Sequence, residues 1–284
     1  MAYRLKSATK DLGGFNVSRI LPNARKRTVG PFVFVDHMGP AVFPPGKGIN
    51  VRPHPHIGLA TISYLMAGSM LHRDSLGSRQ EIFPGDVNWM TAGRGIVHSE
   101  RETIEVRAAE SHFDGLQCWV ALPEDKVDID PSFIHVPKAQ LPNVYREKVM
   151  MRLIAGEAYN CTSPVKTYSP MFYLDVVSEA GADVERPCSM SETAVYVASG
   201  AVQIGDEVFG AGDFVVLEDE ERIVTTETGR YFLLGGMPLP KQPLLRWNFL
   251  AYSRKKLEQA EERWRLGQFP VIPGDENEHI PLPS

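Results

Sequence analysis

Two short patterns hold the residues best equipped for chemistry, His54-Pro55-His56 and His98-Ser99-Glu100. Each has a period of two, so in an extended strand both members of a pair point to the same side and can reach one point. Pro53 and Pro55 fix extended backbone around the first pair and exclude a helix there. Three imidazoles and one carboxylate suit a divalent first-row metal. A nitrogen and oxygen donor set without thiolate favours Fe(II), Mn(II), Ni(II) or Cu(II) over structural zinc, with zinc still within the range of the donors. Four protein donors leave two adjacent positions on an octahedral ion, enough for a substrate and dioxygen.

The elements that must position these residues are short strands. Twenty-four glycines and 22 prolines punctuate the 284-residue chain into segments rich in Val, Ile, Phe, Tyr and Thr, which predicts an all-β protein. Expected strands include 32–35, 60–66, 87–90, 115–121, 171–177, 194–197, 202–204, 213–217 and 231–234. One helix is expected over 253–266, where Ser253 caps a run of strong helix formers, Leu257, Ala260 and Trp264 share a face, and Gly267 is the stop. The halves also repeat. ISYLMAG followed by PGDVNWM in the first is matched by VYVASG followed by AGDFVVL in the second, which implies two related barrels. The proline-rich stretch 123–142 reads as a linker between a metal-binding domain over 1–122 and a second domain over 143–284 that includes the helix.

The frame around the histidines carries a resemblance. Gly48-x5-His54-x-His56-x11-Gly68, followed by Gly95-x2-His98, resembles the two signature motifs of the cupin superfamily, in which facing strands of a small jelly-roll barrel bring such side chains together. The glutamate usual four or five residues after the second histidine is missing, since Ala60 and Thr61 stand there, and Glu100 is its natural replacement. NVRPHPHIGLATISYL, HRDSLGS, PGDVNWMTAGRGIVHSER and GLQCWVALP resemble the pirin family more closely still, over Asn50 to Pro123, with looser likeness in AVYVASG, LLGGMPL and RWNFLA. That resemblance implies a fold of two tandem cupin barrels. It also implies one non-haem iron on His54, His56, His98 and Glu100, and in several members a quercetin 2,3-dioxygenase activity.

The second half has no histidine from Met171 to Gly235 and cannot repeat the site. Ungapped counting puts Arg186, Cys188, Thr225 and Glu227 at the equivalent positions, which is not a first-row oxygenase set. In the first half, His37, His72 and Asp74 could orient ligand imidazoles, although hydrogen-bonded turn or rim residues is the preferred reading. Thr91 to Gly95 is the turn that aims His98, Trp89 and Met90 are expected in the core, and Arg94 is expected to be exposed. Cys118, Cys161 and Cys188 are too widely spaced for a metal or redox motif and read as buried small hydrophobes.

The pirin resemblance implies a dioxygenase acting on a flavonol such as quercetin or a similar enolic aromatic, with O2 as co-substrate. Glu100, the sole carboxylate of the set, would take the substrate's hydroxyl proton. The resemblance implies ring cleavage with release of carbon monoxide. A rival reading uses the same donors in a regulatory protein that docks a transcription factor or a metabolic enzyme. A third is an isomerase or sugar-binding cupin. A net charge of −5 gives no general attraction to nucleic acid or anionic lipid. The N-terminal segment lacks the apolar core of a signal peptide and no apolar run reaches membrane length, so a cytoplasmic location is expected.

Overall fold

The structure is a computed structural model that describes residues 1–11, 15–187 and 191–283. Strands account for 53% of the chain and helices for 8%, which bears out the all-β expectation. The chain divides into two compact units, one of Thr9–Arg19, Val35–Lys138 and Pro240–Ser284, the other of Met1–Ala8, Ile20–Phe34 and Ala139–Leu239.

The first unit contains the histidine patterns. A four-stranded antiparallel sheet runs in the order Asn50–His56, Ile96–Arg101, Met70–Asp74, Arg79–Ile82. In a larger sheet, Ser132–Val136, Val87–Thr91, Leu59–Ala67 and Ser111–Ala121 are neighbours in that order. Ile62, Tyr64, Trp89, Met90, Leu116 and Cys118 are buried in this unit, so Trp89 and Met90 sit where the sequence puts them. Arg94 is exposed, as expected.

The second unit is built on a ten-stranded sheet in which Phe214–Leu217, Glu192–Ile204, Arg222–Gly236, Met171–Ser178 and Val149–Ala158 are neighbours in that order. Its core is apolar, with Leu153, Leu174, Val195, Val215, Ile223 and Leu233 among the buried members. The segments expected at 194–197 and 202–204 are one long strand with register shifts at Ser199 and Ala201. Thr225 is buried there with its hydroxyl 2.5 Å from that of Ser178, and the Arg186 guanidinium is held by Thr193 and by the Glu218 carbonyl. Cys188 lies outside the described residues.

Three sequence expectations need correction. Residues 123–142 are not simply a linker: Ser132–Val136 is a strand paired with Val87–Thr91, and the first unit runs on to Lys138. The alternating exposure of SFIHV suits an edge strand, a signal that the surrounding prolines mask. The helix, Arg254–Arg265, forms with Ser253 as its cap but belongs to the unit that contains the histidines. Its buried Leu257 and Ala260 find apolar partners in Ile57, Val97, Phe249 and Phe269, and this choice of surface is what a helical stripe alone does not encode. Cys161 is only half-buried on a two-residue strand, whereas Cys118 is fully buried.

Candidate metal centre

His54 and His98 are directly opposite each other on neighbouring antiparallel strands, and His56 lies two residues along from His54. Alternation then puts all three rings on the inner face. One ring nitrogen from each can be chosen so that all three lie within 4.8 Å of one another. The ring centroids are 4.4 to 5.0 Å apart. The turn from Ala92 to Gly95, closed by a 2.9 Å bond from the Gly95 amide to the Ala92 carbonyl, delivers the chain into the His98 strand. No helix follows it.

The hydrogen bonds of the rings fit a metal. His54 Nδ1–H donates to the Arg52 carbonyl at 2.8 Å, and His56 Nδ1–H donates to the Asn248 carbonyl at 3.2 Å. With Nδ1 protonated, Nε2 of each presents its lone pair inward. His56 Nε2 and His98 Nε2 are 3.1 Å apart. Two nitrogens bound at right angles to one ion, each ~2.1 Å from it, would be about 3 Å apart. Among the described residues His98 Nδ1 is buried without a hydrogen-bond partner, and Nε2 is the ring nitrogen that lies beside that of His56.

Glu100 faces the same interior but is not a member of the tight histidine group. A register shift between His98 and Glu100 puts Glu100 opposite Val51 on one side, while on the other it is opposite His72. Its Oε1 lies 3.1 Å from the Ser63 hydroxyl, which also approaches Gln117 Oε1 at 2.8 Å. Burial pushes the Glu100 carboxyl up, against the opposing pull of His72, Ser63 and Gln117. A buried carboxylate of raised pKa is a competent proton acceptor.

His72 is part of this environment. It donates from Nε2 to Asp74 Oδ2 at 3.0 Å, stacks on Phe133 with centroids 4.2 Å apart, and has its ring 5.4 Å from that of His98. Burial works to raise the Asp74 carboxyl, but the His72 and Ser78 contacts hold it below its usual value. His37 donates to Asp114 at 2.6 Å and has the structural role preferred from the sequence. Sequence reasoning missed Ser63, Gln117 and Trp119, whose ring meets that of His56 edge-on at 5.0 Å. Polar Ser63 and Gln117 within otherwise apolar strands were the available signal.

The two histidine strands are braced from outside by the chain near residue 275. Arg101 donates to both Asp275 oxygens at 3.1 and 2.9 Å, Ser99 donates to Asp275 at 2.7 Å, and the Ile280 amide donates to the Pro53 carbonyl at 2.8 Å. Asp275→Ala leaves two donors on the His98 strand without their acceptor. It should cost about 2 kcal/mol of stability in denaturant titrations. An unchanged midpoint would show that the brace is dispensable.

The imidazoles are 7% (His54), 1% (His56) and 1% (His98) exposed. Burial lowers the His54 pKa to about 4 and drives those of His56 and His98 well below the ordinary value, with neighbouring imidazoles adding to the effect. Between pH 6.5 and 4 the unfolded chain therefore binds protons that the folded chain refuses. The metal-free protein should keep full stability above about pH 6.5 and lose it as pH falls towards 4, on the order of 3 kcal/mol from His54 alone. Urea titrations at pH 7 and 4.5 on the wild type and on His54→Gln check this. An equal acid loss in both would contradict it.

Comparisons with known proteins bear on the family and the fold. A family model described as Pirin matches residues 14–120, and one described as Pirin C-terminal cupin domain matches residues 173–270. A pirin-like protein of Caulobacter vibrioides is 44% identical over 280 residues, covering 97% of this chain and 96% of the relative. The crystal structure of a quercetin 2,3-dioxygenase from Acinetobacter baumannii superposes with a TM-score of 0.91 at 34% identity, covering 100% of this chain and 95% of that one. A bacterial pirin from Escherichia coli, crystallised with nickel(II), shares the fold at a TM-score of 0.67 and 18% identity, covering 84% of this chain and 100% of that one.

Proposed function

The chain belongs to the pirin family, and we propose from that premise that it is a metal-dependent dioxygenase of a flavonol such as quercetin. The observation that carries the reading is the convergence of three imidazoles, two with Nδ1–H donated to backbone carbonyls, beside a buried carboxylate. His54, His56 and His98 would hold the ion, with Glu100 completing the donor set. When bound, a divalent ion, Fe(II) first among the candidates, would acidify an enolic hydroxyl and provide the meeting point for substrate and O2.

The chain's own groups do the rest. Glu100 takes the hydroxyl proton on its carboxylate, and Ser63 at Oε1 keeps that carboxylate oriented. His72 and Asp74 lie beside it and hold the opposing strand in register. Trp119 and the apolar strands exclude water from the rings. The likeness to a quercetin 2,3-dioxygenase at 34% identity over the whole chain supports the choice of substrate class. A cytoplasmic setting belongs to the same reading, and among the described residues no helix is long and apolar enough to cross a membrane.

The test is oxygen uptake by iron-loaded protein supplied with quercetin, with carbon monoxide measured in the headspace. Uptake with stoichiometric carbon monoxide is expected, and none from metal-free protein. Absence of uptake would turn the reading to a metal-dependent docking protein whose partner is a transcription factor or metabolic enzyme. The near-complete burial of the three rings is the observation that favours this second reading.

A further inference from the structure

On the His98 strand, Ser99 and Arg101 alternate with His98 and Glu100 and so project from the opposite face of the sheet. That outer face forms the floor of a cleft of about 620 Å³, walled by Arg73, Arg79, Arg107 and the chain from Gly274 to Glu278. The volume is that of a site for a small metabolite.

Its lining carries four arginines and four acids, but two of the acids pair with the same arginine. Asp275 and Glu278 are both bonded to Arg101. Glu102 is buried, with its carboxyl pushed up by that burial, and Glu105 is at the rim as the remaining acid. Arg73 and Arg79 are direct partners across two antiparallel strands, so their side chains share one face. Like charges in that position destabilise a sheet. Among the described residues neither has a carboxylate within ion-pair distance. Arg73 makes one bond, from Nη1 to the Gly274 carbonyl at 3.1 Å, while its Nε is buried with no partner. A buried donor left unsatisfied next to an uncompensated pair of guanidiniums is costly in the empty cleft and is relieved by an oxyanion, which accepts from both forks at once.

We propose that this cleft binds a small-molecule oxyanion, the phosphate or carboxylate group of a metabolite, seated between Arg73 and Arg79. The site is distinct from the imidazole centre and lies on the other face of the strand that carries His98 and Glu100. The rest of the ligand would fill the space towards Ile104, which is exposed at the cleft wall.

The test titrates metal-loaded protein with inorganic phosphate and, separately, with malonate, by calorimetry at constant ionic strength. One saturable site per chain is expected. Tighter phosphate binding identifies a phosphorylated ligand, and tighter malonate binding a carboxylate. Arg79 is exposed and its side chain makes no hydrogen bond or ion pair among the described residues, so Arg79→Gln leaves the fold intact and should weaken binding about 10-fold or more. Arg94→Gln, at an exposed arginine paired with Asp130, should bind as the wild type does. Absence of saturable binding for both anions, or equal binding by wild type, Arg73→Gln and Arg79→Gln, would overturn the proposal.

Discussion

Glu100→Gln should retain a bound metal yet lose turnover of an enolic aromatic by about 10²- to 10⁴-fold, the usual contribution of a positioned general base. The substitution keeps the volume, and a neutral amide can still accept from Ser63, which now meets Oε1 at 3.1 Å. What it removes is the capacity to take a proton. Burial raises the pKa of the Glu100 carboxyl, and an amide in its place introduces no new buried charge, so the fold should hold. The measurement is a paired one, iron content and kcat on the same preparation. Full iron with full turnover would exclude Glu100 as the base, while loss of iron would make it chiefly a ligand.

The second large effect is expected at His98. Its ring faces His54 from the opposite strand and its Nε2 is 3.1 Å from that of His56, so His98→Ala removes the shared member of the group. Metal affinity should fall by more than about 100-fold, beyond the 10- to 100-fold typical of losing an outer partner of a ligand. The consequence is measurable as stability. At metal 1,000-fold above Kd the wild type gains about 4 kcal/mol by mass action, and His98→Ala should gain little at that concentration. The metal-free variant should stay folded, because the lost packing is offset in part by removal of a buried nitrogen that has no partner. Equal metal-dependent shifts in melting temperature for the two proteins would refute the assignment.

How much of this was legible in the sequence depends on the distance over which each feature acts. The convergence of His54, His56 and His98 was readable because a period of two survives any choice of strand partner, and the glycine frame announced the barrel. The supports were not readable. The acceptor for His56 is the Asn248 carbonyl, 192 residues further on, and backbone carbonyls carry no sequence signature. Gly58 shows the same limit: at φ +70 its missing Cβ would stand 2.1 Å from the Leu250 carbonyl oxygen, so a glycine that looks like a simple turn residue is needed for the approach of that distant chain. The helix stripe of Leu257 and Ala260 shows an apolar face without naming the barrel that covers it. Within 123–142 the prolines conceal an edge strand whose Phe133 stacks on His72.

Anomalous scattering from crystals of the iron-loaded protein tests the central claim most directly. One iron peak per chain is expected, among the Nε2 atoms of His54, His56 and His98 and within bonding distance of each. A peak in the second barrel, or none among these imidazoles at full iron content, would contradict it.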